Sequence, residues 1–417
     1  MRRSVLLLLS LLLVSLALPA AVFVPVAGAA EAVRVVSQQA SASFPTSMTF
    51  TLTADTEQPV VAAETRYRAA YSPFTEAVPA TVSGGTHLHL TTKVDMQTHY
   101  LPPGVEIQYH WLLTLADGST VTTPEQSLLY MDTQHNWLHL TAGQVTLFSY
   151  AGGQPFAQTM LNIVTQSIQQ LKDKLHVTAD EPVHVVVFGS NRELAAALPP
   201  NSAEWIGGFT NPELHLIVTG IAGGDTAEAQ RILSHESVHL INGQATDNPF
   251  NSPPPWLDEG LATYYQTVSD PRLDRALRTA VQDGTLISLP ALDASFPDDA
   301  DQALLSYGES RSIVQFIIEQ LGQDKMTALL DTFKNGVSYE QAVELGLGMT
   351  QQQLDTRWKA WLGYQGDRVA DSPGTTNPTA GSGPPGGEEA LALVVLATAG
   401  IAGTLYFRRR AQHHSLS

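Results

Sequence analysis

The period of the hydrophobic pattern changes near residue 150 of this 417-residue chain, and the change limits the folds that the chain can adopt. From about residue 31 to 135, apolar side chains recur at every second position. The clearest run occupies alternate positions from Val105 to Leu115 and ends at Asp117-Gly118, a dipeptide typical of tight hairpin turns. Several such strands with no helical segment among them predict an Ig-like antiparallel β-sandwich over residues 31–150.

After this change the pattern is mainly helical. An amphipathic helix is predicted over residues 156–175, and two strands are predicted over residues 183–188 and 213–219. Helical patterns punctuated by Gly and Pro then continue from residue 225 to 361. A small sheet followed by a mainly helical lobe is an α+β arrangement, which we assign to residues 151–365.

Both ends of the chain have the features of membrane-directed segments. Arg2 and Arg3 precede an apolar run and then small residues, which predicts a signal peptide over residues 1–30, with an uncleaved anchor as the alternative. Residues 390–407 are uncharged and apolar, and as a transmembrane helix they would span a bilayer core of about 30 Å. The sequence therefore predicts that the chain is anchored in the lipid bilayer by this C-terminal helix.

The orientation follows from the arginines at positions 408–410, because positively charged flanks stay in the cytoplasm. Residues 408–417 are thus predicted to form a cytoplasmic tail. Residues 366–389 are rich in Gly, Pro, Ser and Thr, which is typical of a flexible stalk. The prediction is a single-pass protein of the cell membrane whose ectodomain lies outside the cytoplasm.

Charge and cysteine content exclude several classes of function. The chain has 22 Lys and Arg against 40 Asp and Glu, a net charge of −18, whereas nucleic acids bind to concentrated basic surfaces. We therefore expect no nucleic-acid partner. The lack of cysteine excludes disulfide frameworks, Cys-based zinc fingers, iron-sulfur clusters and thiol nucleophiles.

The strongest chemical signature is the pentapeptide HESVH, which contains His235, Glu236 and His239. On a helix, residues four apart lie on one face, so both histidines can bind one metal ion. A catalytic zinc site also needs a third protein ligand and an open position. Glu259 is the candidate, because the Pro-rich turn before it starts a new helix, and an antiparallel arrangement of the two helices would bring Glu259 level with His239.

This set of residues predicts a zinc-dependent peptidase with one Zn²⁺ ion. Zinc held by His235, His239 and Glu259 would lower the pKa of its bound water and polarise a peptide carbonyl. Glu236 would take the proton of that water as general base and return it to the leaving amine. The strand predicted over residues 213–219 would pair with the backbone of a peptide or protein substrate.

HESVH, followed by Glu259 within WLDEGLA, resembles the gluzincin metallopeptidases, the clan of thermolysin and the zinc aminopeptidases, and most closely their peptidase MA-like branch. The similarity covers about residues 150–365, including the SYGES segment that begins at Ser306. It implies a thermolysin-like zincin domain, bound zinc and peptide hydrolysis. Tyr307 matches the tyrosine of the family in position, which implies a hydrogen bond to the developing oxyanion. A packed helix tyrosine is the alternative.

Two positions depart from the pattern of the clan. The exopeptidase motif G-x-M-E-N of the zinc aminopeptidases is absent, and the matching stretch reads GGFTNPELHLIV. Thr263 stands where thermolysin-like enzymes have an acidic residue, and its hydroxyl is expected to orient a histidine more weakly.

The other histidine pairs have simpler interpretations. His87 and His89 lie on one side of a predicted strand, where we expect exposed polar residues, and His135 and His139 also lie on a predicted strand. The alternative function for the whole chain is a surface-anchored binding or adhesion module that keeps the zincin fold with negligible turnover.

Overall fold

The computed structural model describes residues 33–198, 207–297 and 299–366. The predicted signal peptide, transmembrane helix and cytoplasmic tail lie outside these residues, as does the predicted stalk beyond residue 366. Among the described residues, no helix has both the length and the apolar character needed to cross a membrane.

The N-terminal region consists of two antiparallel sheets that share one hydrophobic core. Its strands are β1 (Val33–Ser43), β2 (Ser47–Thr56), β3 (Val60–Ala69), β4 (Glu76–Ala80), β5 (His87–Asp95), β6 (Val105–Leu115), β7 (Thr120–Thr122) and β8 (Gln126–Tyr130). One sheet has the order β1-β2-β5, and the other has the order β4-β3-β6-β7 with β8 also paired to β6. Burial alternates residue by residue along β6, with Trp111 0% exposed. The antiparallel sheets predicted from the two-residue period are confirmed.

A third sheet connects the two regions of the chain. Its strands are β9 (Leu138–Ala142), β10 (Val145–Ser149), β11 (Val183–Phe188), β12 (Gly208–Asn211) and β13 (Leu216–Gly220), in the order β12-β13-β11-β10-β9. The three inner strands are parallel, and the two outer strands run antiparallel to their neighbours. The β9-β10 hairpin falls within the range predicted for the sandwich, yet it pairs with β11 in this third sheet.

The two faces of the third sheet belong to two different cores. Val185 and Val187 of β11 pack with the helices, whereas Val186 and Phe188 pack with the N-terminal sheets. Successive side chains of a strand point to opposite faces, so this purely apolar strand is buried on both sides. The N-terminal sheets thus cover one face of the sheet whose other face supports the helices.

The helical lobe follows the expected α+β plan. Its helices are α1 (Gly153–Leu175), α2 (Asn191–Ala197), α3 (Thr226–Ala245), α4 (Pro255–Tyr265), α5 (Pro271–Asp283), α6 (Ala300–Phe316), α7 (Gln323–Phe333), α8 (Tyr339–Leu347) and α9 (Gln351–Trp361). A single π-helical turn, Ile317–Leu321, extends α6.

The prediction of a strand over residues 213–219 is only partly correct. A 3₁₀ turn, Pro212–Leu214, occupies its start, and His215 has a left-handed φ of 52°. The strand β13 therefore begins at Leu216 and lies inside the sheet, between β11 and β12. The strand at this edge of the described sheet is β12, which the sequence pattern did not reveal.

Gly243 does not end α3, although a glycine after a helical pattern often marks a helix end. The helix continues to Ala245. A Cβ atom on Gly243 would lie 2.2 Å from Cγ of Pro212, so the glycine allows the 3₁₀ turn to pack closely against α3.

Candidate metal centre

The helix α3 carries the HESVH motif at the centre of the helical lobe. The Asp225 side chain accepts a hydrogen bond from the backbone N–H of Glu228 at 3.0 Å and so caps the helix. The Glu228 carboxylate pairs with Arg231 and so does not complete a capping box with the Asp225 backbone. In the second half of the helix, His235 and Glu236 are each only 1% exposed.

The helices α3 and α4 are antiparallel, which is the condition that the predicted ligand set requires. His239 contacts Asp258 near the start of α4, whereas Gln230, further back on α3, contacts Thr267 beyond the end of α4. This arrangement brings Glu259 level with both histidines of the motif.

Three potential ligand atoms form a small buried triangle. The Nε2 atoms of His235 and His239 are 3.1 Å apart, and Oε2 of Glu259 lies 3.5 Å from each of them. Within the described part of the chain, this is the group of three His, Cys, Asp or Glu residues that could hold a metal ion. The structure therefore brings together the three residues predicted as ligands.

The dimensions of the triangle fit a single zinc ion. Zinc–ligand bonds of about 2.0–2.1 Å in a tetrahedral arrangement place ligand atoms about 3.4 Å apart, close to the three distances observed. Glu259 is 1% exposed, yet within the described residues neither carboxylate oxygen has a hydrogen-bond partner. A buried carboxylate in this state is costly unless a cation compensates it.

The outer ring nitrogen of each histidine has its own partner on or next to α4. Nδ1 of His239 lies 2.9 Å from Oδ2 of Asp258, and Nδ1 of His235 lies 3.1 Å from Oε1 of Gln266. Both partners are acceptors, so they favour the tautomer that leaves each Nε2 lone pair facing the triangle. Asn242 donates to the second oxygen of Asp258 at 2.6 Å and holds that carboxylate in place.

Thr263 does not orient a histidine, which corrects the expectation drawn from its position. Its hydroxyl donates to the backbone carbonyl of Glu259 at 2.6 Å, within its own helix. Asp258 and Gln266 take the orienting role instead. No local sequence pattern indicates either contact, because both depend on how α4 packs against α3.

The charges at the site favour a cation at the triangle. Burial opposes the charged form of His239, but Asp258 and Glu259 outweigh it and hold the pKa of His239 well above its usual value. Burial would raise the pKa of Glu259, but His239 and His235 lower this pKa to about 2. The carboxylates thus require positive charge between the histidines, and either a proton or a metal ion can supply it.

Glu236 lies beside the triangle and contacts the edge strand β12. The Thr210 hydroxyl donates to Oε2 of Glu236 at 2.6 Å. A Cβ atom on Gly208 would lie 3.3 Å from Oε1 of Glu236, so the glycine leaves room for this carboxylate. Neither contact was predicted, because the pattern of residues 207–211 indicates no strand.

Tyr307 also reaches the site, from helix α6. Burial raises the pKa of Tyr307 well above its usual value, and the nearby carboxylates of Glu259, Glu236 and Asp258 raise it further. Its ring packs edge-on against Phe296, with centroids 5.1 Å apart. A hydroxyl in this environment stays protonated and can serve as a hydrogen-bond donor at neutral pH.

Three histidines of the other two pairs have local partners. His87 pairs with Asp55 at 2.7 Å, His89 contacts Thr53 at 3.1 Å, and the His135 ring stacks on Tyr150 with centroids 3.9 Å apart. His139 lies in β9, as predicted, whereas His135 lies in the bend before that strand, so its predicted strand position is wrong.

The comparison with protein families agrees with this geometry. Residues 163–364 match the family model described as "Peptidase MA superfamily". The match contains α3, α4 and α6, the helices that carry the triangle and Tyr307. This region of the chain therefore matches the peptidase MA superfamily, and the resemblance to gluzincin metallopeptidases predicted from the sequence is confirmed.

Similar solved structures include a mutant M1 zinc metallopeptidase from Deinococcus radiodurans, with 14% identity over 79% of this chain and 92% of that chain and a TM-score of 0.36. A mutant two-domain M1 zinc metallopeptidase bound to L-arginine has 14% identity over 75% and 89% of the two chains, with a TM-score of 0.37. At these TM-scores the family assignment depends on the family match alone. No curated protein matches this chain.

Proposed function

We propose that this protein is a zinc-dependent peptidase that hydrolyses peptide bonds outside the cytoplasm. The observation that carries the proposal is the buried triangle of His235, His239 and Glu259, whose three facing atoms lie within 3.5 Å of one another. Two imidazole nitrogens and a carboxylate are a zinc ligand set that leaves a coordination position open for water or substrate.

His235, His239 and Glu259 would hold one Zn²⁺, which when bound supplies a Lewis acid for a water molecule and for the carbonyl oxygen of the substrate. Glu236 takes a proton from the water as its oxygen forms a bond to the peptide carbon. When the carbon–nitrogen bond breaks, Glu236 gives this proton to the leaving amine. The products are a carboxylic acid and an amine, and Glu236 returns to its starting state.

Tyr307 donates a hydrogen bond to the oxyanion that develops on the substrate carbonyl. Burial and the neighbouring carboxylates support this role, because both keep its hydroxyl protonated. The alternative is a packed tyrosine without a catalytic role. The variant Tyr307→Phe distinguishes these two roles, because loss of the hydroxyl would lower kcat strongly only if the hydroxyl takes part in catalysis.

Substrates would bind in an extended conformation along β12. In the described part of the sheet, β12 pairs only with β13, so its other edge has backbone groups that a peptide can meet as an added strand. This proposal moves the substrate-binding strand from residues 213–219 to Gly208–Asn211.

The experiment uses the purified full-length chain and an unstructured protein as substrate. Wild type should cleave it, lose activity with a chelator and regain activity with zinc. Glu236→Gln should retain zinc and lose activity by several orders of magnitude. Glu228→Gln is the matched control on the same helix, since the Glu228 carboxylate pairs with Arg231, and it should keep full activity. Cleavage that resists chelation, or an active Glu236→Gln variant, would contradict the proposal.

The alternative function, a binding or adhesion module, predicts a different result. Such a protein would bind zinc stoichiometrically and cleave no member of a broad peptide library. Glu236 argues against it, because a binding module has no need for a buried carboxylate that lies next to the ligands without joining the triangle.

We also propose that the chain is anchored in the cell membrane by residues 390–407, with the ectodomain outside. This proposal depends on the sequence pattern of the two ends. The chain has no cysteine, so a single cysteine added to the stalk gives one labelling site. A membrane-impermeant reagent should label this cysteine on whole cells. Labelling only after lysis would show that the orientation is opposite to the one proposed.

A further inference from the structure

The edge strand β12 holds the carboxylate of Glu236 from one side. The Thr210 hydroxyl lies 2.6 Å from Oε2 of Glu236 and 3.2 Å from its backbone carbonyl oxygen. Both residues are buried, with Thr210 7% and Glu236 1% exposed. A short hydrogen bond to a carboxylate in such a dry environment is strong, because water does not compete with it.

The two oxygens of Glu236 are therefore not equivalent. Oε2 accepts the hydrogen bond from Thr210, whereas Oε1 is buried and has no hydrogen-bond partner among the described residues. Gly208, two residues earlier on the same strand, would bring a Cβ atom within 3.3 Å of Oε1 if it had one. The strand thus binds one oxygen and leaves space around the other.

We propose that Thr210 is a positioning residue for the general base. This inference rests on the proposed function and adds to it a division of roles within one carboxylate. Thr210 fixes the side-chain rotamer of Glu236 through Oε2, and Oε1 remains to receive the proton of the water. Because β12 is also the strand that would pair with substrate, a single element sets the position of both the base and the peptide.

The first test compares Thr210→Val, which keeps the shape and removes the hydroxyl, with Thr210→Ser, which keeps the hydroxyl. In the full-length protein, Thr210→Val should lower kcat by about 10- to 100-fold, the usual cost of losing an orienting partner, with KM and zinc content nearly unchanged. Thr210→Ser should restore most of kcat. Thr65→Val is the control, since Thr65 is 0% exposed and bonds to Thr92 within the N-terminal sheets.

A kcat for Thr210→Val equal to that of wild type, or a change in KM alone, would overturn the inference while leaving the proposed function intact. A wild-type protein without any peptidase activity would instead remove the proposed function and this inference with it. The two failures are therefore distinguishable in one set of assays.

The second test does not depend on activity. A double-mutant cycle of Thr210→Val and Glu236→Ala, read as the thermal unfolding midpoint, isolates the contact between the two side chains. We expect the shift caused by Thr210→Val to become clearly smaller when Glu236 is already replaced. Shifts that add without interaction would show that Thr210 does not hold Glu236, and would overturn the inference.

Discussion

Asp258 and Glu259 are neighbours in the chain but contact different atoms of the same histidine. Glu259 lies beside Nε2 of His239, whereas Asp258 accepts a hydrogen bond from its Nδ1. Consecutive helix positions point about 100° apart, so α4 can reach the His239 ring from two directions. One carboxylate belongs to the ligand triangle, and the other orients the ring and stabilises its positive charge.

Removing the Asp258 carboxylate should therefore weaken metal binding without removing a ligand. We expect Asp258→Ala to raise the dissociation constant for zinc by about 10- to 100-fold, because His239 loses its orienting partner. Competition with a chromogenic chelator measures the change. Asp274→Ala is the control, since Asp274 lies on α5 and pairs with Arg311. Equal zinc affinity in Asp258→Ala and wild type would contradict the orienting role.

Glu309 is another buried carboxyl group, separate from the triangle and on the same helix as Tyr307. It is 0% exposed, and one oxygen accepts a hydrogen bond from the backbone N–H of Ile287 at 3.1 Å. Burial raises the pKa of Glu309 from 4.5 to about 8, although the Ile287 hydrogen bond and Lys359 act in the opposite direction. The folded protein therefore keeps this group protonated at neutral pH.

The raised pKa predicts that stability falls as pH increases. The unfolded chain releases the Glu309 proton near pH 4.5 and the folded chain near pH 8, so the stabilising contribution is complete below about pH 4.5 and is lost as the pH rises through about 8. The slope in this window is at most about 1.4 kcal/mol per pH unit for one group.

Thermal unfolding from pH 5 to 9 tests this effect in wild type and Glu309→Gln. The neutral amide can still accept the Ile287 hydrogen bond, so the unfolding midpoint of the variant should fall less over this range. The difference between the two curves cancels titrations elsewhere in the protein. Curves that stay parallel would show that Glu309 titrates equally in the folded and unfolded states.

Local spacing explains which site residues the sequence could predict. His235, Glu236 and His239 lie within one turn and a half of a single helix, and the turn before Glu259 has clear Pro signals, so these residues could be predicted from the sequence alone. Thr210 lies 26 positions from Glu236, and Gln266 lies 31 positions from His235. Such contacts depend on tertiary packing, which no local pattern records.

At the scale of elements, the close approach of α4 and α6 determines the distance between Glu259 and Tyr307. A Cβ atom on Gly260 would lie 2.6 Å from the backbone carbonyl oxygen of Ser310 and 2.8 Å from Cγ2 of Val314. The two helices can pack at this distance only because position 260 has no side chain.

Gly260→Ala should therefore destabilise the protein, although alanine ordinarily favours a helix by about 1 kcal/mol relative to glycine. Overpacking of this kind costs about 1–3 kcal/mol, so we expect a lower unfolding midpoint and weaker zinc binding as α4 moves away from α6. Calorimetry and zinc titration measure the two effects. A midpoint equal to or above that of wild type would show that the helices can separate without cost.

The elements predicted with the wrong bounds share a physical cause. Residues 213–219 alternate like a strand, but Pro212 and the left-handed His215 place a 3₁₀ turn at the start of that segment. Glycine after a helical pattern usually marks a helix end, whereas Gly243 serves the contact with Pro212. In both cases a tertiary contact overrides a local preference.

At the scale of the whole molecule, the third sheet joins the N-terminal sheets to the helical lobe. Leu216 and Val218 of β13 pack into the core of the N-terminal sheets, while Ile217 packs with the helices. Gly104, at a φ of 97°, lies so close to β11 that a Cβ atom there would be 2.5 Å from Cγ2 of Val186. The N-terminal sheets thus help to hold in place the third sheet, against which the helices of the candidate metal site pack.

A fragment that starts at residue 138 should accordingly fail as an independent domain. Without the N-terminal sheets, one apolar face of the third sheet would meet water, and exposed faces of this kind lead to aggregation. We expect residues 138–366 to aggregate in size-exclusion chromatography, whereas residues 33–366 elute as a folded species. A soluble short fragment with an unchanged unfolding midpoint would show that the N-terminal sheets are dispensable.

The central claim is that His235, His239 and Glu259 bind one zinc ion at the centre of a peptidase site. An anomalous difference map from crystals of the zinc-loaded protein, collected at the zinc absorption edge, tests it most directly. We expect a single strong peak between the Nε2 atoms of the two histidines and the Glu259 carboxylate. A map without a peak there, or with its zinc bound elsewhere and the triangle empty, would contradict it.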